Sequence, residues 1–192
     1  MTPVEAMLRL ASADLNAAGA RWALIGGLAV TSRAGTRFTE DVDFAVAVAG
    51  DDEAQAVVFS LRSRGYRVVV QLEQEYVDRM CTVRLARGKS NVIVDLLFAS
   101  SGIEREIVAA ADVLEVFPRL RVPVATTGHL IAMKALAGRT QDILDLERLI
   151  PAASAADLVQ AREAVRLIKK RGFSRESDVA ANLEHEIAKA GR

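Results

Sequence analysis

Two short stretches hold the residue types that could do chemistry. Gly26-Gly27 closes the apolar run Ala23-Leu24-Ile25, and Asp41-Val42-Asp43-Phe44 opens a second one. Side chains alternate across a strand. Asp41 and Asp43 therefore share a face with Ala45 and Ala47, while Val42, Phe44, Val46 and Val48 share the other. Aspartate is depleted in strands, and two on one face repel unless a positive charge lies between them. Magnesium meets that need, because it takes hard oxygen ligands from one or two carboxylates and from substrate phosphates. The glycines supply the complementary half. Lacking Cβ, they let backbone N–H groups approach a ligand closely, and a helix beginning at Leu28 would aim its N-terminal dipole there. The pattern predicts a Gly-Gly phosphate cradle facing an Asp-x-Asp metal clamp.

Further charged residues sit where such a site would use them. Arg37 and Thr39 alternate with Asp41 and Asp43, so Arg37 would offset the carboxylates or contact a phosphate, or would be a surface arginine. Asp95 is a lone carboxylate in the apolar run Asn91 to Phe98. An unpaired buried charge is costly, so it joins the same metal site or lies at a solvated edge. Lys134 projects into the apolar arc of a helix from Gly128 to Ala137. It either snorkels to the rim or enters the cleft to meet a triphosphate. Asp142 and Asp145 lie one turn apart on the next helix, and Asp142 also suits that helix's N-terminus.

The elements that must position these groups follow from periodicity and punctuation. Helices are expected over residues 3–18, capped by Thr2 with Pro3 in the first turn, and over 28–33, 51–64, 103–114, 128–137, 140–150, 157–171 and 177–190. Pro151 is expected to stop the helix 140–150. Strands are expected over 22–25, 41–48, 67–72, 80–86, 91–98 and 120–125, the last at a sheet edge because of Pro123. Thr36 to Glu40 leads into the carboxylate strand. On the helix 157–171, Arg162, Arg166 and Lys169 line one side and Lys170 and Arg171 extend it, a basic stripe for a nucleic-acid backbone or a solvated face.

The chain has 192 residues, 51% of them hydrophobic, and 25 basic against 25 acidic side chains. That suits one domain with a helical appendage. With no global basic field, a nucleic-acid partner needs a local patch. Cys81 is the single cysteine, which excludes an intrachain disulfide, and with His129 and His185 far apart in sequence it makes no zinc pattern. No apolar run approaches a membrane span, and a cytoplasmic location is the default expectation.

Gly26-Gly27, Asp41-x-Asp43 and Asp95 together resemble the polymerase-β-type nucleotidyltransferase superfamily. Two longer runs resemble its AbiEii/AbiGii-type group, which includes the MenT-like toxins of toxin–antitoxin systems. One is Gly-Gly-Leu-Ala-Val through Arg37-x-Thr39-x-Asp41-x-Asp43-Phe44. The other is Pro123-Val124-Ala125 through Leu130-Ile131-Ala132-Met133-Lys134-Ala135-Leu136-Ala137-Gly138-Arg139 to Asp142 and Asp145. The resemblance covers roughly residues 20–150. It implies an α/β fold: residues 1–125 as a core with a small mixed sheet flanked by helices, and 126–192 as a helical part packed on it. It implies that Gly26, Gly27, Arg37 and Arg139 meet the nucleotide, that Asp41, Asp43 and Asp95 bind Mg2+, and that Asp95 alternatively serves as general base. It implies that Lys134 binds triphosphate and that Asp142 belongs to a later charged motif. The toxins often carry Gly-Ser at the cradle, where this chain has Gly-Gly. The implied activity is transfer of a nucleoside monophosphate from a nucleoside triphosphate to an acceptor hydroxyl, with the 3′ end of tRNA as acceptor and an antitoxin as partner. A small-molecule enzyme of antibiotic-modifying type, a protein-modifying enzyme and a non-catalytic binding or antitoxin protein are the alternatives.

Overall fold

The computed structural model describes residues 1–35, 37–74, 79–174 and 177–192, so Thr36 lies outside the described residues. In chain order the elements are α1 (Pro3–Ala17), β1 (Arg21–Ile25), α2 (Gly26–Ala34), β2 (Val42–Ala47), α3 (Asp51–Ser63), β3 (Tyr66–Gln74), β4 (Arg79–Arg87) and β5 (Val94–Leu97). They continue with α4 (Glu104–Ala109), β6 (Asp112–Phe117), β7 (Leu120–Val124), α5 (Thr127–Ala137), α6 (Thr140–Ala152), α7 (Ala155–Lys170) and α8 (Val179–Lys189). The strands form one mixed sheet in the order β3-β4-β5-β2-β1-β7-β6, an α/β arrangement as expected. β1 and β2 run antiparallel at its centre, β5 lies parallel to β2, and β7 lies parallel to β1.

The central strands are buried because their inward faces are apolar. Val42, Phe44, Val46, Val94 and Leu96 are fully covered, and Trp22 meets Phe44 edge to face with ring centroids 5.0 Å apart. One continuous apolar cluster runs from Met7 and Leu8 of α1 through the sheet to Leu183 and Ile187 of α8. Helix starts are set by local chemistry: the hydroxyls of Thr2, Thr126 and Ser154 accept from the backbone N–H groups of Glu5, His129 and Asp157. Among the described residues, no helix is long and apolar enough to cross a membrane.

Four expectations are corrected. The helix 103–114 is the short α4 followed by the strand β6, whose Val113 and Val116 suit a pleated surface better than a helix. Strand β7 is not at the edge. β6 takes that place, and the register pair with β1 is Leu24 with Val124, past Pro123. Strand β5 is shorter than 91–98, because only Val94–Leu97 pairs on both sides. Pro151 does not stop α6. It lies in the final turn, and the helix runs on to Ala152.

Candidate active site

Strand β1 turns directly into α2, so the cradle is the first turn of the helix rather than a loop before Leu28. Gly26 has φ +63°, a left-handed backbone that side chains disfavour. Ile25 pairs with Asp43 across the sheet, which places this turn over the carboxylate, and a Cβ on Gly26 would overlap Asp43 Oδ2. Gly27 is confined from another side. A Cβ there would overlap Arg37 Nη1 and lie 2.7 Å from Thr39 Oγ1. The volume that a serine would need at position 27 is thus taken by Arg37 and Thr39, a physical reason for Gly-Gly in this chain.

The next residue pairs complete a row. Asp43 pairs with Asp95 across β2 and β5, and Asp95 pairs with Arg84 across β5 and β4. Arg84 holds Asp95 with a fork, Nε to Oδ1 at 2.9 Å and Nη2 to Oδ2 at 2.7 Å. Burial pushes the Asp43 carboxyl up to about 6, helped by the negative charges of Asp95 and Asp41 and opposed by Lys134 and Arg37. The bond to Asp95 raises the Arg84 guanidinium further above its ordinary value. Arg84 was not among the residues singled out from the sequence.

The far wall comes from α5 and α6. Buried Lys134 places Nζ 2.8 Å from Asp142 Oδ1 and 2.8 Å from Asp145 Oδ2. Arg37 Nε lies 2.8 Å from Asp145 Oδ1. The Asp145 contacts are close charge pairs without hydrogen-bond alignment, whereas Lys134 donates properly to Asp142. Asp142 also accepts from the backbone N–H of Arg139 at 3.2 Å and from Arg139 Nε at 2.7 Å, so it caps α6 as well as anchoring two cations. Burial pushes the Asp142 carboxyl up, but the bonds from Arg139 and Lys134 outweigh it and hold it below the usual range.

Gly26, Asp43, Arg84, Asp95, Lys134, Arg139 and Asp142 all border one cleft of about 330 Å³, with Thr82, Leu97, Met133 and Leu136 as its less polar lining. Asp41 does not border it. Asp41 lies beside a second hollow of about 870 Å³ that Arg37 and the exposed Phe38 also line, although its charge is felt at Asp43. The donors at Asp43 suit a hard divalent cation, because carboxylate repulsion is what such an ion relieves. Among the described residues no three His, Cys, Asp or Glu side chains gather closely enough to enclose a metal. Phosphate oxygens would have to complete the shell, which is how magnesium is often bound.

On α7 the basic stripe is partly neutralised. Arg162 is forked onto Glu184 at 2.6 and 2.8 Å, and Arg171 onto Glu106 at 2.9 and 2.6 Å. Arg166, Lys169 and Lys170 are exposed.

Comparison with curated protein sequences finds no match. Among solved structures, the chain is similar to an antigenic nucleotidyltransferase-like protein from Paracoccidioides brasiliensis. The TM-score is 0.55 and the identity 17%, over 94% of this chain and 92% of that one. It is also similar to JHP933 from Helicobacter pylori, with TM-score 0.48 and 16% identity over 98% and 89%. ANT(2'')-Ia in complex with adenylyl-2''-tobramycin gives TM-score 0.48 and 16% identity over 96% and 97%. The fold is that of the nucleotidyltransferase-like protein. The sequence itself matches a family described as nucleotidyl transferase AbiEii toxin, type IV toxin–antitoxin system, over residues 9–190. A match over nearly the whole length means that the chain belongs to the AbiEii nucleotidyltransferase toxin family.

Proposed function

We propose that this nucleotidyltransferase transfers a nucleoside monophosphate from a magnesium-bound nucleoside triphosphate to the 3′-terminal hydroxyl of a tRNA. The observation that supports the site most strongly is the fit of Gly26 over Asp43. A backbone that tolerates no side chain lies directly against a carboxylate of raised pKa, beside Lys134 and Arg139. Asp43, with Asp95 paired beside it in the cleft, is the carboxylate that would hold Mg2+, while Asp41 acts on it through its charge. When bound, the ion stabilises charge on the attacking and leaving oxygens. The Gly26 and Gly27 amides receive phosphate at the start of α2. Lys134 and Arg139 supply positive charge on the side of the departing pyrophosphate. The acceptor oxygen bonds to the α-phosphorus, the bond from that phosphorus to the bridging oxygen breaks, and pyrophosphate leaves. Asp95, the neighbour of Asp43, takes the acceptor proton.

The tRNA acceptor rests on the family resemblance and on Arg166, Lys169 and Lys170, the exposed cations of α7. An antitoxin is the partner that membership of a toxin–antitoxin family implies. The acceptor is tested by giving the protein, magnesium and α-labelled nucleoside triphosphates to tRNA whose 3′-terminal ribose has been oxidised with periodate. Intact tRNA takes label and oxidised tRNA takes none. Equal labelling of both would refute 3′ transfer. A small-molecule acceptor is the second reading. It is favoured by the pairing of Arg162 and Arg171 with acidic partners, which shrinks the basic stripe. Labelling of an aminoglycoside with no labelling of tRNA would establish it.

A further inference from the structure

Arg84, Asp95, Asp43 and Ile25 are successive register partners across β4, β5, β2 and β1, and the row ends at the Gly26 cradle. Asp95 is buried and both its oxygens are taken by the Arg84 fork, while the Arg84 side chain is 46% exposed and borders the cleft. Among the described residues, the only positive charge bonded to this carboxylate row therefore sits on a side chain with room to leave. Lys134 and Arg139, on the opposite wall, are each bonded to Asp142 instead.

We propose that Arg84 is a positioning residue that occupies Asp95 in place of a divalent cation and transfers to the nucleotide's phosphates when the metal-bound triphosphate enters. The proposal rests on the nucleotidyl-transfer reading above. A guanidinium fork matches carboxylate and phosphate oxygens equally well, so the same side chain serves both partners. Charge decides between them. Without a triphosphate beside it, the guanidinium is bonded to Asp95. A divalent cation at the carboxylate row repels the guanidinium from Asp95, while the triphosphate brings several negative charges into the same space. Metal and nucleotide then bind with mutual reinforcement, and Asp95 is released for the acceptor proton only when both are present. A nucleotide-free enzyme keeps Asp95 paired with Arg84 and holds metal weakly.

The test measures binding rather than turnover, with Mn2+ followed by its electron paramagnetic resonance. Its second probe is whichever of the four α,β-methylene nucleoside triphosphates binds best. In the wild type, that analogue tightens Mn2+ binding about five- to a hundredfold, the usual span of such coupling. Arg84→Gln binds Mn2+ alone about fivefold or more tightly than wild type, binds the metal-free analogue about fivefold or more weakly, and loses most of the coupling. Arg84→Lys, which keeps the charge without the fork, falls between and serves if the glutamine variant does not fold. Asp95→Asn added to Arg84→Gln removes the gain in Mn2+ affinity. A pair that merely braces the sheet would leave nucleotide affinity unchanged, and a folding lesion would weaken both ligands together. Either result overturns the proposal. If the wild type with analogue binds Mn2+ while the Arg84 variants behave as wild type, Arg84 alone loses its role. If the wild type binds no Mn2+ even with analogue, the nucleotidyl-transfer reading fails and this proposal fails with it.

Discussion

Gly26 and Asp43 compete for the same space: one carbon added to Gly26 would overlap the Asp43 carboxylate. The turn and the carboxylate are therefore a matched pair. Gly26→Ala must either displace Asp43 or distort a backbone already at φ +63°. Misplacement on that scale costs about a hundredfold in rate. We expect Gly26→Ala to lose about that much kcat while keeping a cooperative thermal transition, as steady-state kinetics and calorimetry would show. Full activity would mean that the cradle is not where phosphate sits.

The Asp43 carboxyl, pushed up to about 6, predicts a stability effect of definite sign. Its folded pKa exceeds its unfolded one, so ionising it costs stability. The cost is full above about pH 6 and fades as pH falls towards the unfolded value. In metal-free buffer Asp43→Asn should therefore stabilise the protein at pH 7.5 by about 3 kcal/mol, a rise of roughly 6–12 °C in Tm. The gain should vanish near pH 4. A variant less stable than wild type at pH 7.5 would refute the account of Asp43 as a strained carboxylate.

Lys134 carries two roles that can be separated. Asp142 and Asp145 are both fully buried and both face its ammonium. Lys134→Met leaves them short of a cation and should destabilise by about 3–5 kcal/mol. Adding Asp145→Asn removes part of the unbalanced charge and should recover about half of that loss by chemical denaturation, the signature of coupled neighbours. Activity should not return, because the cation facing the triphosphate is still missing. Recovery of activity in the double variant would make Lys134 a structural brace only.

Much of this site was legible locally. Gly26-Gly27 and Asp41-x-Asp43 announce themselves because glycine pairs and strand aspartates are each unusual where they stand, and Thr2 caps α1 through a contact three residues away. What stayed hidden depends on register. A hairpin turning tightly at Gly88 would set Arg84 opposite Val92. The longer connection, with β5 starting only at Val94, sets it opposite Asp95 instead. No local signal distinguishes those pairings. The merging of α4 with β6 has a similar cause. Ile103, Ile107, Ala110 and Leu114 fall on one helical face, and only pairing with β7 pulls Asp112–Phe117 into the sheet. Asp142 was read as a helix-terminus charge or a site residue; its carboxylate caps α6 and at the same time accepts from Lys134 beside the cleft.

The α7 stripe divides into residues that should and should not affect RNA. Arg166, Lys169 and Lys170 are exposed, so reversing their charges should weaken tRNA binding and lower the slope of log affinity against log salt by about 0.7–0.9 per lost phosphate contact. Arg162 is already bonded to Glu184, and Arg162→Gln should change that slope little. Equal effects from both changes would mean general charge rather than contact by this face.

The most direct measurement is label transfer. The protein is incubated with magnesium, each α-labelled nucleoside triphosphate in turn, and total bacterial RNA and protein, beside the Asp41→Asn/Asp43→Asn variant. The account predicts label in the tRNA band with at least one nucleotide and none with the variant. Label that persists in the variant would contradict it, as would a folded wild-type protein that labels no RNA.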